Sequence, residues 1–160
     1  MTKWLDDEEM ALWLGLLTTH SALMAELERD LVEAHGITAG DYGVLVNLSE
    51  APDDRLRMCD LAARLHLSPS GLTRRLDGLV RTGLVAREPA LDDRRVILAV
   101  LTPAGRARLE AAAPDHVAGV RRAFLDHLNR TQIRQMGAGF ATVLAGRAKA
   151  ESIHPLVDVS

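Results

Sequence analysis

Apolar residues recur at intervals of three and four along most of this chain, and the places where that rhythm fails are short. From residue 8 to about 35, Trp13, Leu16, His20, Leu23 and Leu27 fall on one helical face. Met10, Leu14, Leu17, Met24 and Leu31 fall on an adjoining face, which predicts one long helix with two apolar stripes. Two stripes are more than one small domain can cover. Acidic residues precede this helix and Gly36 follows it, as the helix dipole and a left-handed C-terminal cap prefer. Thr38 with Asp41 has the spacing of a capping box for a second helix through Val44, Leu45 and Leu48, which must stop before Pro52. A third, over 58–66, turns Leu61, Ala62 and Leu65 inward. A fourth starts at Ser68, with Pro69 at the first helical position where its missing N–H is harmless, and runs to about Thr82 before Gly83. Leu72, Leu76, Leu79 and Val80 supply its expected buried face.

The period then changes. Val85–Glu88 and Val96–Thr102 are rich in β-formers and flank a polar tip, Pro89–Arg95, so they predict a hairpin. Thr102 and Pro103 restart the helical pattern, Pro114 is expected to bend or interrupt it, and it resumes through Val117, Val120, Phe124 and Leu128. A last helix from near Thr131 uses Ile133, Met136, Phe140, Val143 and Leu144. The order is α-α-α-α-β-β-α-α: a mainly α chain with a small β-hairpin. Helices at about 8–35 and 103–150 flank a central head at 38–102, all within one domain of 1–160.

Bulk properties narrow the function classes. At 160 residues, 48% hydrophobic and 26% charged, the chain is an ordinary globular domain. The apolar run at 11–17 is too short to span a bilayer, Asp6 to Glu9 stand where an export signal would carry cations, and one cysteine, Cys59, permits no internal disulfide. These point to the cytoplasm and to no membrane partner. The net charge of −3 hides an asymmetry: residues 1–54 carry −10, residues 55–108 carry +6 and residues 109–160 carry +1, and all eleven cations of the middle third are arginines. A planar guanidinium fork suits phosphates and guanine edges, so that block fits a nucleic-acid partner.

Two short helices joined by a tight turn at 66–68 and followed by a hairpin make a winged helix-turn-helix. Its second helix would enter the major groove N-terminus first, presenting Ser68, Ser70, Thr73, Arg74 and Arg75. At the hairpin tip, Arg95 could enter a minor groove with Asp93 holding its guanidinium, and Arg94 could face a phosphate. The segments LRMCDLAARLHLSPSGLTRRLDGLVRTGLVAREP and DDRRVILAVLTPAGRARL, with an acidic-x-Arg wing followed by Leu-Thr-x-x-Gly, resemble the MarR family of transcriptional regulators. The resemblance implies a homodimer whose terminal helices interlock, binding double-stranded DNA at a pseudo-palindrome with heads about one DNA turn apart. It places Ser68, Pro69, Ser70, Thr73, Arg74 and Arg75 on the recognition helix and Asp93 and Arg95 in the wing. It further implies a ligand-responsive repressor taking a small phenolic or anionic ligand, whose pocket Trp13 and His20 could line.

Other chemistries find little footing. The histidines at 20, 35, 66, 116, 127 and 154 show no metal-ligand spacing, Cys59 has no partner thiol for redox sensing, and no phosphate loop or nucleophile elbow marks an enzyme. No cofactor is expected. The competing class is a helical protein-interaction module that has lost DNA binding.

Overall fold

The structure, a computed structural model, describes residues 2–153, with side chains described through residue 147. By their contacts the described residues fall into two compact units, divided between Val120 and Arg121. Within the first lie α1 (Asp7–His35), α2 (Ala39–Ser49), β1 (Arg55–Arg57), α3 (Met58–Arg64), α4 (Pro69–Arg81), β2 (Val85–Pro89), β3 (Ile97–Leu101) and most of α5 (Pro103–Ala123). The second holds the end of α5, a 3-10 turn at Leu125–His127 and α6 (Arg130–Ile153).

Local signals explain most boundaries. Asp6 and Glu9 form a reciprocal capping box on α1, Thr38 and Asp41 form one on α2, and Ser68 Oγ accepts the Gly71 N–H at the start of α4. Each side chain satisfies an amide that the first helical turn leaves without a partner. Gly36 (φ 65°) and Gly83 (φ 73°) take the left-handed conformation just past α1 and α4.

The core of the first unit gathers Leu31, Val44, Leu45, Leu48, Leu61, Leu72, Leu76, Val85 and Ala99, which join α1, α2, α3, α4 and the sheet. The sheet is antiparallel with order β1-β3-β2, pairing Leu56 with Ala99 and Val85 with Leu101.

Several expectations are corrected. A third strand, β1, precedes α3; at three residues it is too short to show alternation, and β3 recruits it by pairing. Val80 does not share the buried face of α4 but is 37% exposed, because one residue past Leu79 turns it about 100° around the helix. Pro114 does not interrupt α5. It forfeits one hydrogen bond, and the flanking alanines 111–113 are strong helix formers that carry the helix across. The helix ends at Ala123 rather than continuing through Phe124 and Leu128, since Phe124 (φ −141°, ψ −64°) leaves helical geometry for the 3-10 turn. Asn129 then caps α6, its Oδ1 accepting the N–H groups of Thr131 and Gln132, and α6 continues to Ile153.

Helix α1 buries Leu27 and Leu31 near its C-terminal end, while Met10, Leu12, Trp13, Leu14, Leu16 and Leu17 nearer its start are exposed. By length and hydropathy this helix could cross a bilayer, a capacity the shorter run at 11–17 does not reveal. On α6, Met136, Phe140, Val143 and Leu144 are also exposed.

Candidate nucleic-acid interface

Helices α3 and α4 meet through a turn in which His66 adopts φ 52°, a left-handed conformation uncommon for a residue with a side chain. That turn aims α4 outward from the core, with Leu72, Leu76 and Leu79 below. Ser68, Pro69, Ser70, Thr73 and Arg74 stand exposed on the other side. Thr73 Oγ1 donates to the Pro69 carbonyl (2.9 Å), and the Ser68 and Ser70 hydroxyls lie 3.3 Å apart. The exposed start of α4 is therefore a cluster of hydroxyls around a helix N-terminus, chemistry that accepts an anion.

Arg75, next in sequence to Arg74, goes elsewhere. Its Nη1 donates to Thr38 Oγ1 (3.3 Å) and lies 3.6 Å from Asp41 Oδ1, at the beginning of α2.

The wing is tied to α4 by Arg87, which the sequence reading overlooks. From β2 its Nη1 pairs with Asp77 Oδ1 at 2.8 Å and its Nη2 donates to the Thr73 carbonyl at 3.0 Å. An arginine ten residues past an acid, across a glycine turn, is the one signal that could have found it. At the tip, the Ala90 amide donates to the Val96 carbonyl and the Val96 amide to that of Asp93. Asp93 Oδ1 accepts the backbone N–H of Arg95 (3.0 Å) instead of pairing with its guanidinium, which corrects the expected ion pair. The carboxylate shapes the tip, and Arg94 and Arg95 extend from it exposed.

Sorting the arginines of the middle third by partner separates two sets. Arg55 pairs with Glu88, Arg75 with Asp41, Arg87 with Asp77 and Arg106 with Asp54, while Arg108 donates to the His35 carbonyl. Asp54 holds the Arg106 guanidinium more firmly protonated than usual. Among the described residues Arg57, Arg64, Arg74, Arg81, Arg94 and Arg95 have no protein partner; Arg74, Arg94 and Arg95 stand on α4 or the wing tip where the sequence expected them, and Arg81 ends α4.

The remaining candidates are less organised. Trp13 and His20 are exposed on α1, and no described cavity includes them. Cys59 is exposed at the start of α3, its Sγ 3.6 Å from Asp60 Oδ1. No group of three potential metal ligands occurs among the described residues, and His154 lies outside them. Two histidines do have partners. His35 Nε2 lies 2.8 Å from Asp115 Oδ2, and the His116 ring stacks on Tyr42 with centroids 4.4 Å apart. Burial pushes His116 below and Tyr42 above their ordinary pKa values, and His116 Nδ1 has no hydrogen-bond partner.

Comparison with known proteins agrees with this geometry. A family model described as "MarR family" matches residues 35–96. AbsC, a MarR family transcriptional regulator from Streptomyces coelicolor, is 39% identical, with 91% of this chain and 99% of that one superposed at a TM-score of 0.82. Sco3205, a MarR family regulator from the same organism solved in complex with DNA, is 34% identical over 91% of each chain, with a TM-score of 0.86. The HTH-type transcriptional repressor YetL of Bacillus subtilis is 34% identical over 112 residues, 70% of this chain and 66% of YetL.

Proposed function

Because the chain belongs to the MarR family, we propose that it is a sequence-specific DNA-binding transcriptional repressor that works in the cytoplasm as a homodimer on a pseudo-palindromic operator. The observation that carries this reading is the set of unpartnered guanidinium groups at Arg74, Arg94 and Arg95, held on a helix and a hairpin that Arg87 fastens together. Six of the eleven arginines of the middle third lack a protein partner while five are engaged, and these three of the six stand on the exposed helix and hairpin tip, which suits a surface whose counter-charges arrive with the ligand.

In this reading the start of α4, with Pro69 at its first position and the hydroxyls of Ser68 and Ser70, faces a phosphate. Thr73 and Arg74 lie along the base edges of the major groove, where a bidentate arginine–guanine pair is worth about 1–3 kcal/mol of discrimination. Arg95 enters the minor groove from the tip that Asp93 shapes, and Arg94 neutralises a phosphate. The exposed apolar faces of α1 and of α6 are the surfaces a second copy covers. A tryptophan or leucine side chain taken out of water there stabilises the pair by about 1.5–3 kcal/mol, so a handful suffices for an obligate dimer. A small phenolic or anionic effector would then meet Trp13 and His20 once a partner subunit encloses them.

Titration with duplex from the DNA flanking its own gene, at several salt concentrations, tests the proposal. Affinity should fall steeply as salt rises. Arg74→Ala should relax discrimination between operator and scrambled duplex, and Arg95→Ala should weaken both more evenly. No binding at low salt would favour an interaction module that has lost DNA binding, and unchanged affinity in both variants would refute the docking mode.

A further inference from the structure

Arg75 stands on the recognition helix beside Arg74 yet is committed to another part of the fold. The place that receives it is built from three features of the first turn of α2. Thr38 offers its hydroxyl at 3.3 Å and Asp41 its carboxylate at 3.6 Å. Between them Gly40 offers the absence of a side chain: a Cβ there would lie 1.9 Å from Arg75 Nη1, 2.3 Å from Cζ and 2.7 Å from Nη2. The guanidinium thus rests directly over the bare α-carbon. Gly40 lies inside a helix and has no positive φ, so its backbone does not require glycine. The volume taken by Arg75 does.

The seat is itself anchored. Ala39 N–H donates to Glu28 Oε2 of α1 at 2.6 Å, and Tyr42, also near the start of α2, stacks on His116 of α5. Whatever grips the first turn of α2 is therefore referenced to both long helices of this unit.

We propose that Arg75 is a positioning residue for DNA recognition: it locks α4 against the first turn of α2, with Gly40 as its seat, and so sets the angle at which Ser70, Thr73 and Arg74 meet the groove. The role rests on the DNA-binding reading above. Because the contact is partly exposed, losing it should weaken operator binding by about fivefold, the upper range for such an ion pair. No counter-ion release is lost, so the slope of log affinity against log salt should stay unchanged. A direct phosphate contact would instead lower that slope by about 0.9.

Gly40→Ala supplies the decisive control, because it removes no charge and displaces only the far end of a flexible side chain. Operator binding is measured across salt for the wild type, Gly40→Ala, Arg75→Ala and the double variant, alongside thermal midpoints without DNA. We expect equal weakening in the two single variants, no further loss in the double and unchanged salt slopes. A reduced slope in Arg75→Ala with wild-type binding by Gly40→Ala, or additive losses in the double, overturns the proposal. Should the wild type bind no duplex at low salt, the positioning role falls with the DNA-binding reading. Thermal midpoints would separate that failure from a misread seat: non-additive losses there mean that the dock is real and the DNA reading is at fault.

Discussion

Replacing Gly105 with alanine adds one methyl group where two stretches of backbone already touch. Gly105 lies in the first turn of α5, and a Cβ there would stand 2.0 Å from the carbonyl oxygen of Leu84, 3.0 Å from its carbon and 2.8 Å from Leu101 Cδ1. A comfortable carbon–oxygen contact is about 3.3 Å, so α5 and the start of the wing must separate by about 1.3 Å. The Leu84 carbonyl cannot turn aside freely, because it accepts hydrogen bonds from the amide and the hydroxyl of Thr102. Overpacking of this kind costs about 1–3 kcal/mol, weakening a hydrogen bond adds about 1, and the better helix propensity of alanine returns up to about 1. The net loss is about 2 kcal/mol, which for this length lowers Tm by about 4–8 °C. Thermal unfolding at fixed protomer concentration measures it, since a dimer's midpoint moves with concentration. Gly78→Ala is the companion, because its Cβ would meet only Arg81 Nη2 at 3.9 Å. Relief of glycine's helix penalty there should raise stability by up to about 1 kcal/mol. If Gly105→Ala melts at or above the wild type, the close approach has been misread.

Three further outcomes follow from the same geometry. His116 has a folded-state pKa below its ordinary value because burial disfavours its charged form, so the unfolded chain takes up the proton more readily. Stability is fully present above the ordinary histidine value and is lost as pH falls through it toward the folded value; urea midpoints between pH 7.5 and 5.5 should decline less in His116→Phe, and an equal decline would exclude this group. Arg87→Ala removes the ties to Asp77 and Thr73, worth about 0.5–1.5 kcal/mol for such partly exposed contacts, and should speed amide hydrogen exchange in β2 and β3. Wild-type protection there would mean that the hairpin does not depend on this tie. Asp93→Ala removes the acceptor for the Arg95 amide and should weaken DNA binding almost as much as Arg95→Ala, a result checked on the same duplex and contradicted by wild-type affinity.

How much of this could be read beforehand depended on how local each cause is. The caps at Thr38 with Asp41, at Ser68 with Pro69 and at Thr102 with Pro103 act within one helical turn, so residue type and spacing sufficed. The placement of Leu72, Leu76 and Leu79 followed from period alone. Strand β1 was illegible because three residues carry no alternation and their partner comes from the far side of the hairpin. Arg74 and Arg75 are chemically identical neighbours, and only the tertiary position of Thr38, 37 residues earlier, decides which one folds back. Asp93 was rightly assigned to the wing tip but to the wrong atoms of Arg95. An acid two residues ahead of a cation reaches the amide as easily as the guanidinium, and the turn geometry selected the amide.

The middle position of β3 has a mechanical consequence. On one side it pairs with β1, which runs without a break into α3; on the other it pairs with β2, which leaves α4 after a short turn. Both helices of the reading head are thus leashed to the same ribbon, one from each flank. In the DNA-binding reading proposed above, that shared strand makes the span between the tip arginines and the exposed face of α4 a property of the sheet pairing, so a change in the register of β3 would alter both at once.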